Sequence, residues 1–133
     1  MASNNPYSRY QQIQVGTASQ GSLILMVYDG AIRFSRQAKE RMEAGDFEGK
    51  GIYINKAYSA ISELRKSLNL EAGEEIAFSL ERLYSFMGRQ LTQANIRNDS
   101  RPIDLVIALL SDLREAWKQI IRNPKGGVLM GKR

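Results

Sequence analysis

Apolar side chains recur every three or four residues along four stretches of this chain. That spacing places them on one face of an α-helix and leaves the polar residues on the other faces. Residues that stop and start helices separate the stretches, because Gly45 and Asp46 follow the first and Pro102 opens the fourth. The pattern predicts helices at about residues 19–44, 46–68, 74–95 and 102–122.

The first predicted helix is apolar on more than one face. At about 100° per residue, Leu25, Tyr28 and Ile32 fall roughly opposite its main stripe. A helix whose outer face is solvated should not carry such residues there. Either this helix is covered twice, or its second face meets a partner. The main stripe, which we assign to the core, consists of Leu23, Val27, Ala31, Phe34 and Ala38.

The third and fourth helices also carry more apolar residues than one stripe needs. The extra residues either widen the core, as is common in bundles, or line grooves that accept apolar side chains of another chain. Their joint occurrence on three helices favours grooves. We assign to the core Ile76, Leu80, Leu83 and Met87 on helix three, and Leu113 and Trp117 on helix four. The second edge of helix four consists of Leu105, Leu109, Ala116 and Ile120.

Four amphipathic helices joined by short connections predict an all-α fold, an antiparallel up-down four-helix bundle with an N-terminal cap segment. A length of 133 residues fits one domain. We expect an N-terminal arm at residues 1–18, the bundle at 19–122 and a flexible tail at 123–133. The arm carries Tyr7 and Tyr10 among polar residues and cannot form a core alone, so it either stays disordered or docks onto another surface.

The chain contains neither cysteine nor histidine. These absences exclude disulfides, thiolate metal sites and histidine-based nucleophile pairs, so we expect no cofactor and no metal, and we favour a protein that is not an enzyme. A small helical enzyme would need bound metal on carboxylates such as Glu63, Glu81 or Asp112. No apolar run is long enough to span a membrane and no secretory signal is recognisable, which predicts a cytoplasmic protein without membrane insertion.

Most of the formal charge of +5 lies at the C-terminal end. Arg122, Lys125, Lys132 and Arg133 supply four positive charges with no acid among residues 122–133, and the rest of the chain has 15 basic and 14 acidic residues. A nucleic-acid binder would show a basic stripe across its folded body, whereas both signs alternate here. We therefore expect no nucleic acid as partner. A small helical adaptor for another protein or for nucleic acid remains the alternative function.

Six segments between residues 4 and 122 form a set that is specific when taken together: Tyr7-x-x-Tyr10, TASQG at 17–21, LILMVYDGAIRF at 23–34, EIAFSLERLYSFM at 75–87, LTQAN at 91–95 and DLREAWKQI at 112–120. They closely resemble the flagellar export chaperone family FliS. One departure is Gln20, where the family usually has a proline at the helix start. The resemblance implies a cytoplasmic chaperone that holds the C-terminal segment of flagellin, prevents its premature polymerisation and supports flagellar type III secretion.

The resemblance also implies that the N-terminal segment folds back over the bundle and occupies part of the partner site until it is displaced. Tyr7 and Tyr10 would then be cap elements. Contact with the flagellar export gate and with the family antagonist FliW stays open. Extra apolar residues on the helices supply the other candidate contacts. The predicted partner-binding residues are Tyr7, Tyr10, Leu25, Tyr28, Ile32, Leu105, Leu109 and Ile120.

Overall fold

Four antiparallel helices form this computed structural model, which describes residues 20–123, with the backbone alone for residues 71 and 72. Each helix packs on the next one along the chain, and the first also packs on the fourth, which closes an up-down bundle. Within the described range there is no strand, so the predicted all-α fold is confirmed. The predicted arm and residues 124–133 of the predicted tail lie outside it. The helices are α1 (Gln20–Glu43), α2 (Phe47–Lys66), α3 (Leu70–Arg97) and α4 (Arg101–Arg122).

The connection between α1 and α2 follows the predicted capping chemistry. Gly45 has a φ of 76°, a left-handed conformation that glycine adopts without steric cost, and the amide of Asp46 donates to the carbonyl of Arg41 at 2.9 Å. The Asp46 carboxylate then accepts a hydrogen bond from the Gly49 amide at 2.9 Å, which caps α2. Local residues are therefore enough to explain this turn.

Helix α3 begins earlier than predicted and contains an interruption. Residues 70–73 form a first helical turn, in which the amide of Gly73 donates to the carbonyl of Asn69 at 2.7 Å. Glu74 then has a φ of 52° and a ψ of −135°, which lie outside the helical region. The long regular part of α3 therefore covers residues 75–97, close to the predicted start.

A buried lysine from α2 completes the C-terminal end of α3. Asn98 is the left-handed cap residue, with a φ of 53°, and the amide of Asp99 donates to the carbonyl of Ala94 at 3.1 Å. The Lys50 ammonium, in a residue only 6% exposed, donates to the Asn95 carbonyl and to the Asn98 side-chain oxygen, both at 3.2 Å. A cation is favourable here because the helix carbonyls point their negative ends toward it.

Helix α4 begins with Pro102 in its first turn, and the side chain that caps it is Asp99. Ser100 occupies the cap position without making a side-chain cap bond. The Asp99 carboxylate instead pairs with the Arg101 guanidinium at 2.8 Å and accepts from the Arg101 amide at 3.0 Å. These side-chain bonds, and then the backbone bond, lower the pKa of Asp99 to about 2.

The core is rotated on α1 relative to the predicted stripe. Ala31 and Ala38 are fully buried as expected, but Val27 is only partly buried. Tyr28 and Ile32, which the pattern places opposite the core, are buried with 0% and 6% of their surface exposed. The physical reason is that α2 covers one flank of α1 and α4 covers the other. Tyr28 and Ile32 are therefore buried because other helices cover α1 on two sides.

Side chains of the other three helices complete the core. Met87 lies fully inside it and Trp117 packs against its edge. The largest fully buried side chains outside α1 are Met87, Leu91, Ile103, Val106 and Leu110.

Across the described residues, no helix combines the length and apolar character that a membrane crossing requires.

A candidate partner-binding groove between helices α3 and α4

Helices α3 and α4 leave an apolar groove between them. Their contact is the least extensive of the four between neighbouring helices, whereas that of α1 with α2 is the most extensive. Ile76, Leu80 and Leu83 of α3 face Leu113 and Trp117 of α4, and all five are partly exposed. Large side chains on both helices increase the distance between their axes and leave spaces at the surface. We call this surface the α3–α4 groove.

The α3–α4 groove consists of two hollows that share Ile76, Leu80 and Trp117. The outer hollow, about 290 Å³ in volume, is further lined by Glu75, Ser79, Leu83, Leu113 and Ala116. The end hollow, about 250 Å³ in volume, is further lined by Gln20, Ile24, Leu64, Ser67, Leu68, Asn69, Gly73, Ala77 and Tyr84. Because the lining is mostly apolar, the groove is suited to apolar side chains of a partner.

The end of α4 lies directly against the start of α1. A Cβ atom at Gly21 would stand 2.6 Å from Cγ1 of Ile121, a distance that real side chains do not tolerate. Glycine at this position therefore permits the close approach. Gln20, which lines the end hollow, is the first residue of α1. Both ends of the described chain thus lie beside the end hollow.

A polar junction adjoins the end hollow. The hydroxyls of Tyr28 from α1 and Tyr84 from α3 are hydrogen-bonded to each other, with ring centroids 6.4 Å apart. Trp117 of α4 lines the end hollow together with Tyr84. Burial raises the pKa of Tyr28 and of Tyr84 and outweighs the Trp117 indole, which acts to lower the pKa of both hydroxyls, so both phenols stay protonated. We call these three side chains the Tyr–Tyr–Trp junction.

Four of the predicted partner-binding residues, in the arm and on the second face of α1, differ in their placement. Tyr7 and Tyr10 lie outside the described residues. Tyr28 is fully buried in the core, so its side chain cannot touch a partner unless the helices separate. Ile32 packs in the core as well, but its 6% exposed surface lines a hollow between α1 and α4 that Asp29 and Arg114 also line.

Leu25 lies on the flank of α1 that faces α4, away from the α3–α4 groove. It precedes Asp29 by one turn, and Asp29 forms an ion pair with Arg114 of α4. Lys39 and Asp104 form a second ion pair on the same side, at 2.8 Å. This flank is charged and bridged, so the structure does not bring Leu25 together with the predicted residues of α4.

Leu105, Leu109 and Ile120 do lie together. Their spacing gives them the same helical phase as Ala116, which lines the outer hollow, although none of the three lines either hollow itself. Leu105 is 41% exposed, while Leu109 packs partly against the core. The second edge of helix four thus runs along α4 on both sides of Ala116, and its contact with a partner stays a prediction.

The opposite wall was missed, because the sequence pattern assigns Ile76, Leu80 and Leu83 to the core of α3. Steps of three and four residues back from Ala94 reach Leu91 and Met87 and then fit Leu83 as well as Tyr84, so periodicity alone does not separate the two faces. The structure buries Tyr84 and Ala77, while Leu80 and Leu83 pack against the edge of the core.

The carboxylates named for an enzyme do not converge. Glu81 pairs with Arg65 at 2.9 Å and Glu63 with Lys66 at 3.7 Å, so each is held in a surface ion pair. Asp112 is exposed on α4. Among residues 20–123, no group of three histidine, cysteine, aspartate or glutamate side chains is arranged to hold a metal ion.

The four-helix bundle and its apolar groove agree with the family suggested by the sequence. The family model described as "Flagellar protein FliS" matches residues 3–124. The chain belongs to the FliS family. Membership makes it a chaperone of flagellar export and not an enzyme.

Relatives from three bacteria align with most of this chain. It is 41% identical over 125 residues to the flagellar secretion chaperone FliS of Bacillus subtilis, covering 94% of this chain and 92% of that protein. It is 43% identical over 116 residues to the Salmonella typhimurium protein of the same name, covering 84% and 86%. The corresponding Campylobacter jejuni protein is 33% identical over 123 residues, covering 92% and 96%.

Proposed function

We propose that this chain is a cytoplasmic export chaperone that holds the C-terminal segment of flagellin along the α3–α4 groove. The observation that carries the proposal is the groove itself, in which large apolar side chains of two helices remain partly exposed in a chain of the FliS family. A free apolar segment would associate with other copies. Held in the groove, it is kept from premature polymerisation and stays available for type III secretion.

The guest segment binds by laying an apolar face into the groove. Ordering a disordered segment costs several kcal/mol, so the contact must be long. Helix α4 has 22 residues and therefore offers a wall about 33 Å long. Leu105, Leu109 and Ile120 are the proposed contacts on that wall. Leu25, on the flank of α1 that faces α4, adds a contact where the guest wraps around the bundle.

The N-terminal arm serves as a reversible cap in this proposal. It joins α1 at Gln20, which lines the end hollow, so it starts beside the groove. An extended chain covers about 3.3 Å per residue, so the arm is long enough to reach along the groove. Tyr7 and Tyr10 bury apolar rings whose hydroxyls still need partners, which suits an exchangeable contact. The export gate and FliW are further partners that such a role implies.

Calorimetric titration with a flagellin C-terminal peptide of about forty residues tests the proposal. As a helix, this peptide would be about 60 Å long, which exceeds the length of the α4 wall. The double variant Leu105→Asp, Leu109→Asp is expected to weaken binding by about tenfold or more, because each carboxylate would be buried against the guest without a partner. Ile96→Asp is the matched control, since Ile96 is 72% exposed on α3 and its helical phase points away from the groove.

Circular dichroism must show that each variant remains folded. The proposal is wrong if the native chain does not bind the peptide, or if the groove variant binds as tightly as the Ile96 control. Deleting residues 1–18 is expected to strengthen binding, since the guest no longer has to displace the cap. Binding that survives moderate salt also argues against the nucleic-acid adaptor, whose contacts would be strongly salt-dependent.

A further inference from the structure

A second exposed surface lies on the outer side of α2 and α3. Two contacts fix how these helices face each other. Tyr58 of α2 lies against Gly88 of α3, and the Arg65 guanidinium pairs with the Glu81 carboxylate at 2.9 Å. Because Glu81 and Gly88 are seven residues apart, they lie on one row of α3, which is the row that faces α2.

The residues next to this row point outward. Arg82 and Arg89 each follow a residue of the row by one position, which is a rotation of about 100°, and both are exposed. Phe78 has nearly the same helical phase and is 49% exposed. Ile76 and Leu83, which line the α3–α4 groove, lie about 100° or more from this stripe. The stripe is therefore separate from the groove.

We call the surface formed by Tyr58, Phe78, Arg82 and Arg89 the α2–α3 face. Its tyrosine is held in place by α3. A Cβ atom at Gly88 would stand 3.1 Å from Cε2 of the Tyr58 ring, so the ring lies close to the helix, while the residue remains 45% exposed. A ring that is already fixed loses little conformational entropy when a partner covers it. Tyrosine and arginine are also enriched among the residues that dominate interface energies.

The two arginines of the α2–α3 face carry uncompensated charge. Among the side chains that the structure describes, the Arg82 guanidinium donates only to the Ser79 hydroxyl, at 3.4 Å, and the Arg89 guanidinium has no partner. Elsewhere on the bundle, Arg101 and Arg114 each pair with a carboxylate. Exposed rings beside unpaired guanidinium groups are complementary to a partner that presents apolar side chains together with carboxylates.

We infer that the α2–α3 face docks an acidic amphipathic helix of a second protein. Arg82 and Arg89 are about 10 Å apart along α3, which matches two carboxylates two turns apart on a partner helix. Phe78 and the Tyr58 ring are about 15 Å apart along the same axis, a spacing that suits apolar side chains three turns apart. Residues 1–19 and 124–133 of this chain contain no acidic residue, so neither segment has the charge that the face requires.

The position of the α2–α3 face predicts that this partner and the guest in the groove bind at the same time. The inference goes beyond the proposed function and does not depend on it. The two surfaces lie on different sides of α3, and the groove is mostly apolar, whereas the α2–α3 face adds two positive charges. The two surfaces therefore select partners of different chemistry.

Fluorescence anisotropy with a designed peptide tests the inference. The probe is a labelled, stapled helix of about eighteen residues that carries two leucines three turns apart and two glutamates two turns apart between them. The comparison peptide has glutamine in place of both glutamates. The acidic peptide is expected to bind about tenfold or more tightly, because only carboxylates form charge-assisted hydrogen bonds with the guanidinium groups.

Variants of the chain show whether the acidic peptide uses this face. The double variant Arg82→Glu, Arg89→Glu is expected to weaken its binding about tenfold or more, and Phe78→Ala about three- to tenfold. The matched control is Arg33→Glu, Arg36→Glu, which changes the net charge equally at exposed positions of α1, a helix that packs on α2 and α4. It should weaken binding less than about twofold at physiological salt, where distant surface charges are screened. Circular dichroism checks that each variant is folded.

Four results would overturn the inference. The first is equal binding of the glutamine peptide, and the second is an equal loss in the α1 control. The third is competition between the acidic peptide and a saturating flagellin peptide, which would mean that the guest itself covers the α2–α3 face. The fourth is a different occupant, either a single-stranded oligonucleotide that binds more tightly through the same arginines or a dimer of this chain that Arg82→Glu, Arg89→Glu disperses. If only the flagellin peptide fails to bind, the proposed function is wrong and the inference stands.

Discussion

Two interfaces between neighbouring helices differ in how tightly they pack, although both are apolar. The interface between α1 and α2, here the closed seam, is tightly packed, whereas the interface between α3 and α4, here the open seam, leaves a groove. The closed seam has small residues on both sides, since four alanines on the buried faces of α1 and α2 are completely covered. Small side chains let two helix axes approach and leave no room for a guest. The four are Ala31, Ala38, Ala57 and Ala60.

The open seam has large residues on both sides, and its surface edge carries no comparable cover among the described residues. At the closed seam, Phe34 and Tyr53 stack with ring centroids 6.4 Å apart, and the Lys56 ammonium lies 5.6 Å and 5.8 Å from these two rings. At the open seam, Ile76, Leu83 and Trp117 remain partly exposed. Side-chain size, more than hydrophobicity, thus decides whether two helices form interior or a binding surface.

The largest difference in stability is expected when one buried isoleucine of α2 and one isoleucine of the groove are each replaced by alanine. Ile61→Ala on α2, where the residue is 3% exposed, is expected to lower the free energy of unfolding by about 2–5 kcal/mol, because a cavity remains. Ile76→Ala in the groove should cost about 1 kcal/mol or less, since part of that side chain is already solvated. Urea unfolding measures both changes. Equal losses would contradict the distinction between the two seams.

Enlarging one alanine at each seam should give an intermediate contrast. Ala57→Leu is expected to cost about 1–3 kcal/mol, because the closed seam has no space for three more carbon atoms. Ala116→Leu should change stability by less than about 0.5 kcal/mol, since the new atoms enter the outer hollow. The same variant should weaken binding of the flagellin peptide. If Ala57→Leu is neutral, the seam is not tightly packed.

The smallest expected effect is a pH dependence at the start of α4, the helix that forms one wall of the open seam. The pKa of Asp99 is about 2 in the folded protein, against about 3.9 for an unfolded chain. Because the folded value is the lower one, Asp99 stabilises the fold above about pH 4, and this contribution disappears as the pH falls toward 2.

Thermal unfolding of the native chain and of Asp99→Asn measures this effect. The native chain should be slightly more stable at about pH 6, and the difference should shrink as Asp99 becomes protonated. Asp112→Asn, also on an exposed part of the chain, controls for the loss of one negative charge. A difference that stays constant down to the lowest pH would argue against the ionised cap.

The helices and their turns were accessible from the sequence because they depend on near neighbours. Gly45 and Asp46 act within a few residues of themselves, and Pro102 needs only its position in the first turn. The apolar stripe that contains Leu105 and Leu109 was recognisable for a similar reason, since it lies on a single helix, and its role in binding stays a prediction.

The rotation of α1 and the junction in the core could not be predicted in this way. Which face of α1 becomes interior depends on where α2 and α4 pack, and α1 carries apolar residues on more than one face. Tyr28 finds its hydroxyl partner in Tyr84, 56 residues along the chain, so no local pattern reveals that contact. Trp117 has the periodicity of a core residue, and that periodicity is the same whether its ring faces inward or into a groove.

The contact of Ile121 with Gly21 bears on how the protein can be handled in experiments. Because the first and last helices meet there, anything tethered before residue 20 or after residue 123 is attached at the same pole of the bundle. A bulky group fused directly before Gln20 or directly after Asn123 would therefore crowd the end hollow of the proposed groove. Reporter dyes and immobilisation linkers belong instead at the opposite pole, on the turn around Gly45.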